Sequence, residues 1–171
     1  MQFPPGPQGQ GKAYTIFMHL SYILIPLVTI LVAYIGGRLT SSSVKTWYVG
    51  LRKPSWTPPG SVIGAVWTVL YILAAISALV VWNLPAAPVP VLVATLFILN
   101  ATVNVFWSYI FFYLHRPGPA IWVCLFLDLT IVLLIQFIAP LSLLAAWLLV
   151  PYAAWVSFAS YLNYRVWAMN R

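Results

Sequence analysis

The side chains best suited to recognising a ligand in this sequence are aromatic. The chain of 171 residues contains nine Trp and ten Tyr, but only one acidic residue, Asp128. Without a carboxylate pair, a His–Asp pair or an activated serine, no conventional acid–base or nucleophilic site is indicated. The two histidines, His19 and His115, lack metal-binding spacing, and the single Cys124 excludes a cysteine cluster. We therefore expect no metal site.

One polar, proline-rich segment lies between two long apolar stretches. This aromatic–proline segment comprises residues 47–60 and reads WYVGLRKPSWTPPG. Its prolines, Pro54, Pro58 and Pro59, fix φ near −65° and restrict the residues before them. Tyr48 and Trp56 add apolar surface. These features predict a shaped loop at the membrane surface that closes over a ligand cavity.

Composition places the chain in the membrane. It is 63% apolar and only 5% charged, with a mean hydropathy of +0.97. A soluble domain carries roughly 25% charged residues, so this chain could not cover a water-exposed surface. The net charge of +7 does not indicate a nucleic-acid partner, because basic residues of membrane proteins normally lie in loops on one side.

Five apolar stretches are long enough to cross a bilayer as helices. They predict an all-α membrane protein with a five-helix transmembrane bundle over residues 13–171, preceded by a disordered tail at residues 1–12. The five predicted helices lie near residues 14–36, 60–82, 88–113, 119–139 and 142–167.

Charge predicts the orientation of this bundle. Seven basic residues fall on the side that holds the first loop, the third loop and the C-terminus, whereas only Lys12 falls on the other. The positive-inside rule therefore predicts that the first loop and the C-terminus are cytoplasmic and that the N-terminus is outside. The seven are Arg38, Lys45, Arg52, Lys53, Arg116, Arg165 and Arg171.

Helical spacing brings aromatic and amide residues of several helices to one depth. At ~1.5 Å per residue, the residues that lie roughly 7–15 Å below the cytoplasmic surface, with Trp155 slightly deeper, are Trp67, Asn104, Trp107, Cys124, Asp128 and Ala159. Asn100 and Asn104 fit either a cavity wall or hydrogen bonds between helices. Asp128 should face the bundle interior, be protonated or be paired. The aligned residues are Ile63, Trp67 and Tyr71; Asn100, Asn104, Trp107 and Phe111; and Tyr152, Trp155, Ala159 and Asn163.

Three parts of the sequence form a recognisable pattern. The first is WYVGLRKPSWTPPG followed by Trp67. The second is NVFWSYIFF, which begins at Asn104, and the third is PYAAWVSFASYLNY, which begins at Pro151. Together they resemble the translocator protein family, also called the tryptophan-rich sensory proteins (TspO/MBR), over nearly the whole chain beyond residue 13.

The resemblance implies a five-helix membrane protein, commonly a homodimer, that binds tetrapyrroles such as protoporphyrin IX and isoquinoline-type ligands in the bilayer. Porphyrin is then a ligand, and no cofactor is required. In some bacterial members, tryptophans equivalent to Trp67 and Trp155 are implicated in degrading porphyrin in light. The ligand residues implied by the resemblance are Tyr48, Pro58, Ile63, Trp67, Tyr71, Asn100, Asn104, Trp107, Cys124, Trp155 and Ala159.

Three functions remain open at this point. The first is a receptor that binds and senses a tetrapyrrole, stacked on indoles, with its polar edge met by Tyr48, Asn100 and Asn104. The second is an enzyme that uses light and oxygen to open the macrocycle. The third is a porphyrin or lipid transporter, against which stands the lack of a two-half repeat.

Overall fold

The computed structural model describes the backbone of residues 8–84 and 89–171 and the side chains of residues 20–84 and 89–171. Within these residues there are helices but no strands. Five helical spans are long and apolar enough to cross a membrane, which confirms the predicted fold class. These spans are Leu20–Lys45, Gly60–Trp82, Val91–Tyr113, Pro117–Ile138 and Leu143–Met169.

The helices follow the predicted ones closely except at the first. They are α1 (Gln8–Lys45), α2 (Trp47–Gly50), α3 (Gly60–Trp82), α4 (Val91–Ser108), α5 (Pro117–Ile138) and α6 (Leu143–Met169). Residues 1–7 of the predicted tail lie outside the described residues, and α1 includes residues 8–12.

The first helix continues nine residues beyond the predicted end at residue 36. Between Pro26 and Pro54 no proline interrupts the chain, and the polar side chains of this stretch return hydrogen bonds to the helix backbone. Thr40 Oγ1 donates to the Gly36 carbonyl at 2.7 Å, and Thr46 Oγ1 donates to the Ser42 carbonyl at 2.9 Å. The extension gives α1 enough length to form one wall of the site described below.

The spanning helices pack in a closed ring, in the order α1, α3, α6, α5, α4 and back to α1. The α5–α6 side of the ring is dry and tightly packed, with fully buried residues such as Leu127, Ile131 and Leu149. Among the described side chains of α1, from residue 20 onward, few are buried, and Ser21 and Ser43 are two of them. The space inside the bundle therefore lies toward α1.

Helix α4 ends in a π-helical turn at Tyr109–Tyr113. Two consecutive residues of this turn, Phe111 and Phe112, lie in the interior, at 3% and 9% exposure. Such π turns are rare and frequently occur at functional sites.

Candidate ligand cavity

A cavity of about 360 Å³ lies between α1, α3, α4 and α6 at the end of the bundle that carries the aromatic–proline segment. The volume falls within the ~300–1,000 Å³ typical of small-molecule sites. Eight of the eleven predicted ligand residues line it: Tyr48, Ile63, Trp67, Tyr71, Asn104, Trp107, Trp155 and Ala159. Gly60 and Gly64 of α3 also line the cavity. A Cβ at either position would meet no atom within 4 Å, so these two small residues, four positions apart, leave space for a ligand.

Three indoles dominate the walls of the cavity. The rings of Trp67 and Trp107 lie 6.3 Å apart between centroids at an interplanar angle of 29°. Trp155 approaches from α6 and packs against Phe158, with ring centroids 5.3 Å apart. The Trp155 Nε1–H is buried and has no hydrogen-bond partner among the described residues. The cavity therefore has aromatic surface from three helices, α3, α4 and α6, on its walls.

The amide groups at the inner end of the cavity are bonded to other side chains. The Tyr71 hydroxyl donates to Asn104 Oδ1 at 2.8 Å, and Asn104 Nδ2 donates to the Tyr152 hydroxyl at 3.1 Å. Tyr152 donates in turn to Asn100 Oδ1 at 3.2 Å, and Asn100 Nδ2 donates to Thr130 Oγ1 at 2.9 Å. This network joins α3, α4, α5 and α6, so both asparagines hold helices together.

A second amide, Asn163, fixes the orientation of an indole. Trp107 Nε1 donates to Asn163 Oδ1 at 3.1 Å, and Asn163 Nδ2 donates to the Pro117 carbonyl at 2.7 Å. The carbonyl belongs to the first residue of α5. One side chain of α6 thus ties the start of α5 to the ring that lines the cavity, which keeps that ring in a fixed position.

The aromatic–proline segment is held at the mouth of the bundle by its own Lys53 and by Asn170, which follows the end of α6. Lys53 Nζ donates to the carbonyls of Tyr48, Val49 and Leu51 and lies 4.7 Å from the centre of the Tyr48 ring. Asn170 accepts from the Arg52 amide at 3.0 Å and donates to the Arg52 carbonyl at 2.8 Å. The segment is thus fixed before any ligand arrives.

Ring contacts extend this anchoring on both sides of the segment. Trp56 stacks on Tyr161 of α6 at an interplanar angle of 4°, and Trp47 stacks on His115 with centroids 4.4 Å apart. Tyr48 lines the cavity. Burial raises the pKa of its phenol above the ordinary value, which favours the neutral hydroxyl.

Three of the predicted ligand residues do not line this cavity. Asn100 lies on the wall of a second cavity farther along the bundle. Cys124 is 2% exposed on α5, which packs behind α4 and α6, and its Sγ lies 4.0 Å from the Val156 carbonyl. Pro58 lies in the aromatic–proline segment just outside the lining residues.

Asp128 is also remote from the cavity. It lies midway along α5 and accepts a hydrogen bond from Ser157 Oγ of α6 at 2.6 Å, so one of its oxygens is paired, as expected for a carboxyl group in a membrane. Its other oxygen, Oδ1, is buried without a partner among the described side chains. The contact joins α5 to α6 and leaves this carboxyl group outside the candidate site.

The wall that α1 provides was not predicted from the sequence. Gly36, Thr40 and Val44 line the cavity at intervals of four residues, and Gly37 lies beside them. Their spacing is the signal that could have identified them, because it places small residues on one helical face. It was obscured because the predicted first helix ended at residue 36.

Comparison with known proteins agrees with the motifs in the sequence. The model of the TspO/MBR family matches residues 23–168. The chain is 38% identical to the tryptophan-rich protein TspO of Bacillus cereus over 155 residues, which cover 91% of this chain and all of the relative. It is 33% identical to the protein CrtK of Rhodobacter capsulatus, over 88% of this chain and 95% of that one. It is 34% identical to the human translocator protein, over 80% of this chain and 82% of the relative.

Proposed function

The chain belongs to the TspO/MBR family, and we propose that it is a membrane receptor that binds a tetrapyrrole such as protoporphyrin IX in the cavity beneath the aromatic–proline segment. The observation that carries the proposal is that Trp67, Trp107 and Trp155 line one cavity. Indole faces attract flat aromatic rings beyond simple area burial, by ~0.5–1.5 kcal/mol per pair. A macrocycle offers a large flat face to all three.

The hydrogen bonds that the polar groups near the cavity already make to protein also support a largely apolar ligand. Asn104 and Asn163 are already bonded to protein groups, and the Trp155 Nε1 atom is buried. Lys53 is engaged by backbone carbonyls. Arg52, which bonds to Asn170 through its backbone, is the cation of the segment better placed to attract the propionate groups of a porphyrin.

A light-dependent reaction is the second candidate, because Trp67 and Trp155 line the same cavity. An excited porphyrin bound there would lie against both indoles, with oxygen as the co-reactant. Illumination of the complex in air, with a matched sample kept in darkness, separates the two functions. Free porphyrin in the same detergent is illuminated beside them, because porphyrins also photobleach in air without protein. Faster loss of the absorption band in light with the protein than without it supports the enzyme, and equal or slower loss supports the receptor.

The test of the receptor is a titration with protoporphyrin IX in darkness. Trp155→Ala should weaken binding several-fold, because it removes a stacking face. Trp147→Ala is the matched control, since Trp147 is 63% exposed on the outside of α6 and should leave the affinity unchanged. Equal effects of the two substitutions would show that the Trp155 face does not contact the porphyrin.

A further inference from the structure

A second cavity, of about 410 Å³, lies between α1, α3 and α4 in the half of the bundle away from the aromatic–proline segment. Alanines face it from two helices: Ala74, Ala75 and Ala78 on α3, and Ala94 and Ala101 on α4. Small residues usually allow neighbouring helices to approach closely. Here α1 stands off from them, so a space remains that a lipid environment will fill.

Tyr71 and Asn104 line both cavities and separate them. The hydrogen bond between these residues forms the floor of the second cavity, and the Asn100–Tyr152 pair continues it. Higher on the wall, Thr29 Oγ1 donates to the Ile25 carbonyl and Ser21 Oγ donates to Asn83 Oδ1. The polar groups deep in this cavity are thus bonded to protein groups, and its occupant there must be hydrocarbon.

The cavity has the depth of one leaflet of a bilayer. Along α3 it extends from Tyr71 to Trp82, which is about 16 Å at ~1.5 Å per residue. The hydrocarbon core of a bilayer is ~30 Å thick, so this length is about half of it. Trp82, the last residue of α3, lies at the rim, at the depth where indoles contact the headgroup region of lipids.

The side of the cavity formed by α1 is open to the bilayer. Its lining residues Leu20, Leu24 and Val28 are 43%, 51% and 50% exposed. A lipid can therefore reach the space sideways without passing through water. The occupant must be apolar deep in the cavity, as long as one leaflet and polar only at the rim. A lipid acyl chain whose headgroup lies at the rim has these properties.

From these observations we propose that the second cavity binds one acyl chain of a membrane lipid. The chain runs from the headgroup region at Trp82 to the Tyr71–Asn104 floor. This site is separate from the porphyrin cavity and does not depend on the function proposed for it.

The test uses the protein in nanodiscs made of phosphatidylcholine, a fraction of which carries a diazirine on its acyl chain. After illumination, mass spectrometry compares labelling of the α4 wall, at Phe97 and Ala101, with labelling of Leu129 and Val132 on the outer face of α5. Ala75→Phe fills the cavity and should lower labelling of the α4 wall at least fivefold, leaving the α5 face unchanged. Ile76→Phe is the control, because Ile76 is 41% exposed on the same helix and outside the cavity.

Equal labelling of the α4 wall in the wild type and in Ala75→Phe would overturn the proposal. So would labelling of that wall by a free apolar diazirine in preference to the lipid. Ala101→Leu fills the cavity from α4 and provides a second variant, read at Phe97. Titration of Ala75→Phe with protoporphyrin IX in darkness should give the wild-type affinity, which keeps the two sites distinguishable.

Discussion

At the scale of single residues, aromatic and amide side chains have different tasks. The indoles present faces to the cavity, whereas Asn104 uses both ends of its amide to join Tyr71 and Tyr152. From the sequence, Asn104 fitted either a cavity wall or a helix contact, because spacing gives the face of a helix but not the partner of a side chain. In the structure Asn104 lines the cavity and also joins helices, and its hydrogen bonds are made to protein groups.

Asn104→Ala should therefore affect stability more than recognition. The substitution leaves the Tyr71 hydroxyl without its acceptor and removes one of the two hydrogen bonds of the Tyr152 hydroxyl. An unsatisfied buried polar group costs ~1–3 kcal/mol. We expect the free energy of unfolding in detergent to fall by about 1–2 kcal/mol, with a smaller loss of porphyrin affinity than in Trp155→Ala. Thr102→Ala is the control, since Thr102 Oγ1 bonds only within its own exposed turn. Unchanged stability with a tenfold loss of affinity would instead make Asn104 a ligand contact.

At the scale of elements, length and hydropathy predicted four of the five spanning helices to within a few residues. Two features could not be predicted in this way. Gly37 and the hydroxyl residues that follow it are compatible with either a loop or a helix, and hydrogen bonds to the helix backbone together with contacts to α3 and α4 favour the helix. The π turn at Tyr109–Tyr113 leaves no mark on the sequence, and its residues Phe111 and Phe112 both line the cavity.

The aromatic–proline segment is an element whose anchoring can be tested by kinetics. Asn170→Ala removes two hydrogen bonds to the Arg52 backbone, each worth ~0.5–1.5 kcal/mol. A loosened segment opens more often, so protoporphyrin IX should dissociate about threefold to tenfold faster with little change in association. Stopped-flow dilution measures both rates. Arg171→Ala, which removes only a contact with the Trp167 ring, is the control. Equal dissociation rates in Asn170→Ala and the wild type would mean that the segment does not retain the ligand.

At the scale of the whole molecule, the charge asymmetry agrees with the arrangement of the helix ends. Asn170 donates to the Arg52 carbonyl, Ser43 Oγ donates to the Phe112 carbonyl, and a further hydrogen bond joins Ser43 and His115. These contacts hold the end of α1, the first loop, the third loop and the C-terminus at one end of the bundle. Seven of the eight basic residues of the chain belong to these parts.

The positive-inside rule predicts that this end is cytoplasmic. A single cysteine introduced at Ser42, in a variant with Cys124→Ser, should be protected from an impermeant maleimide in intact cells and react in inverted vesicles. A cysteine at Gly9 should show the opposite pattern. Reaction of the Ser42 position from outside would reverse the proposed orientation.

We place the porphyrin site in the cavity between α1, α3, α4 and α6, and a substitution that fills this cavity tests that assignment. A Cβ at Gly64 would meet no atom within 4 Å, and Gly64 lines the cavity, so Gly64→Phe should place a ring in the ligand space without disturbing the helices. Ile72→Phe is the control, because Ile72 is 53% exposed on the outside of the same helix. In a titration with protoporphyrin IX in darkness, Gly64→Phe should abolish saturable binding and Ile72→Phe should retain the wild-type affinity. Wild-type affinity in Gly64→Phe would show that protoporphyrin IX binds outside this cavity.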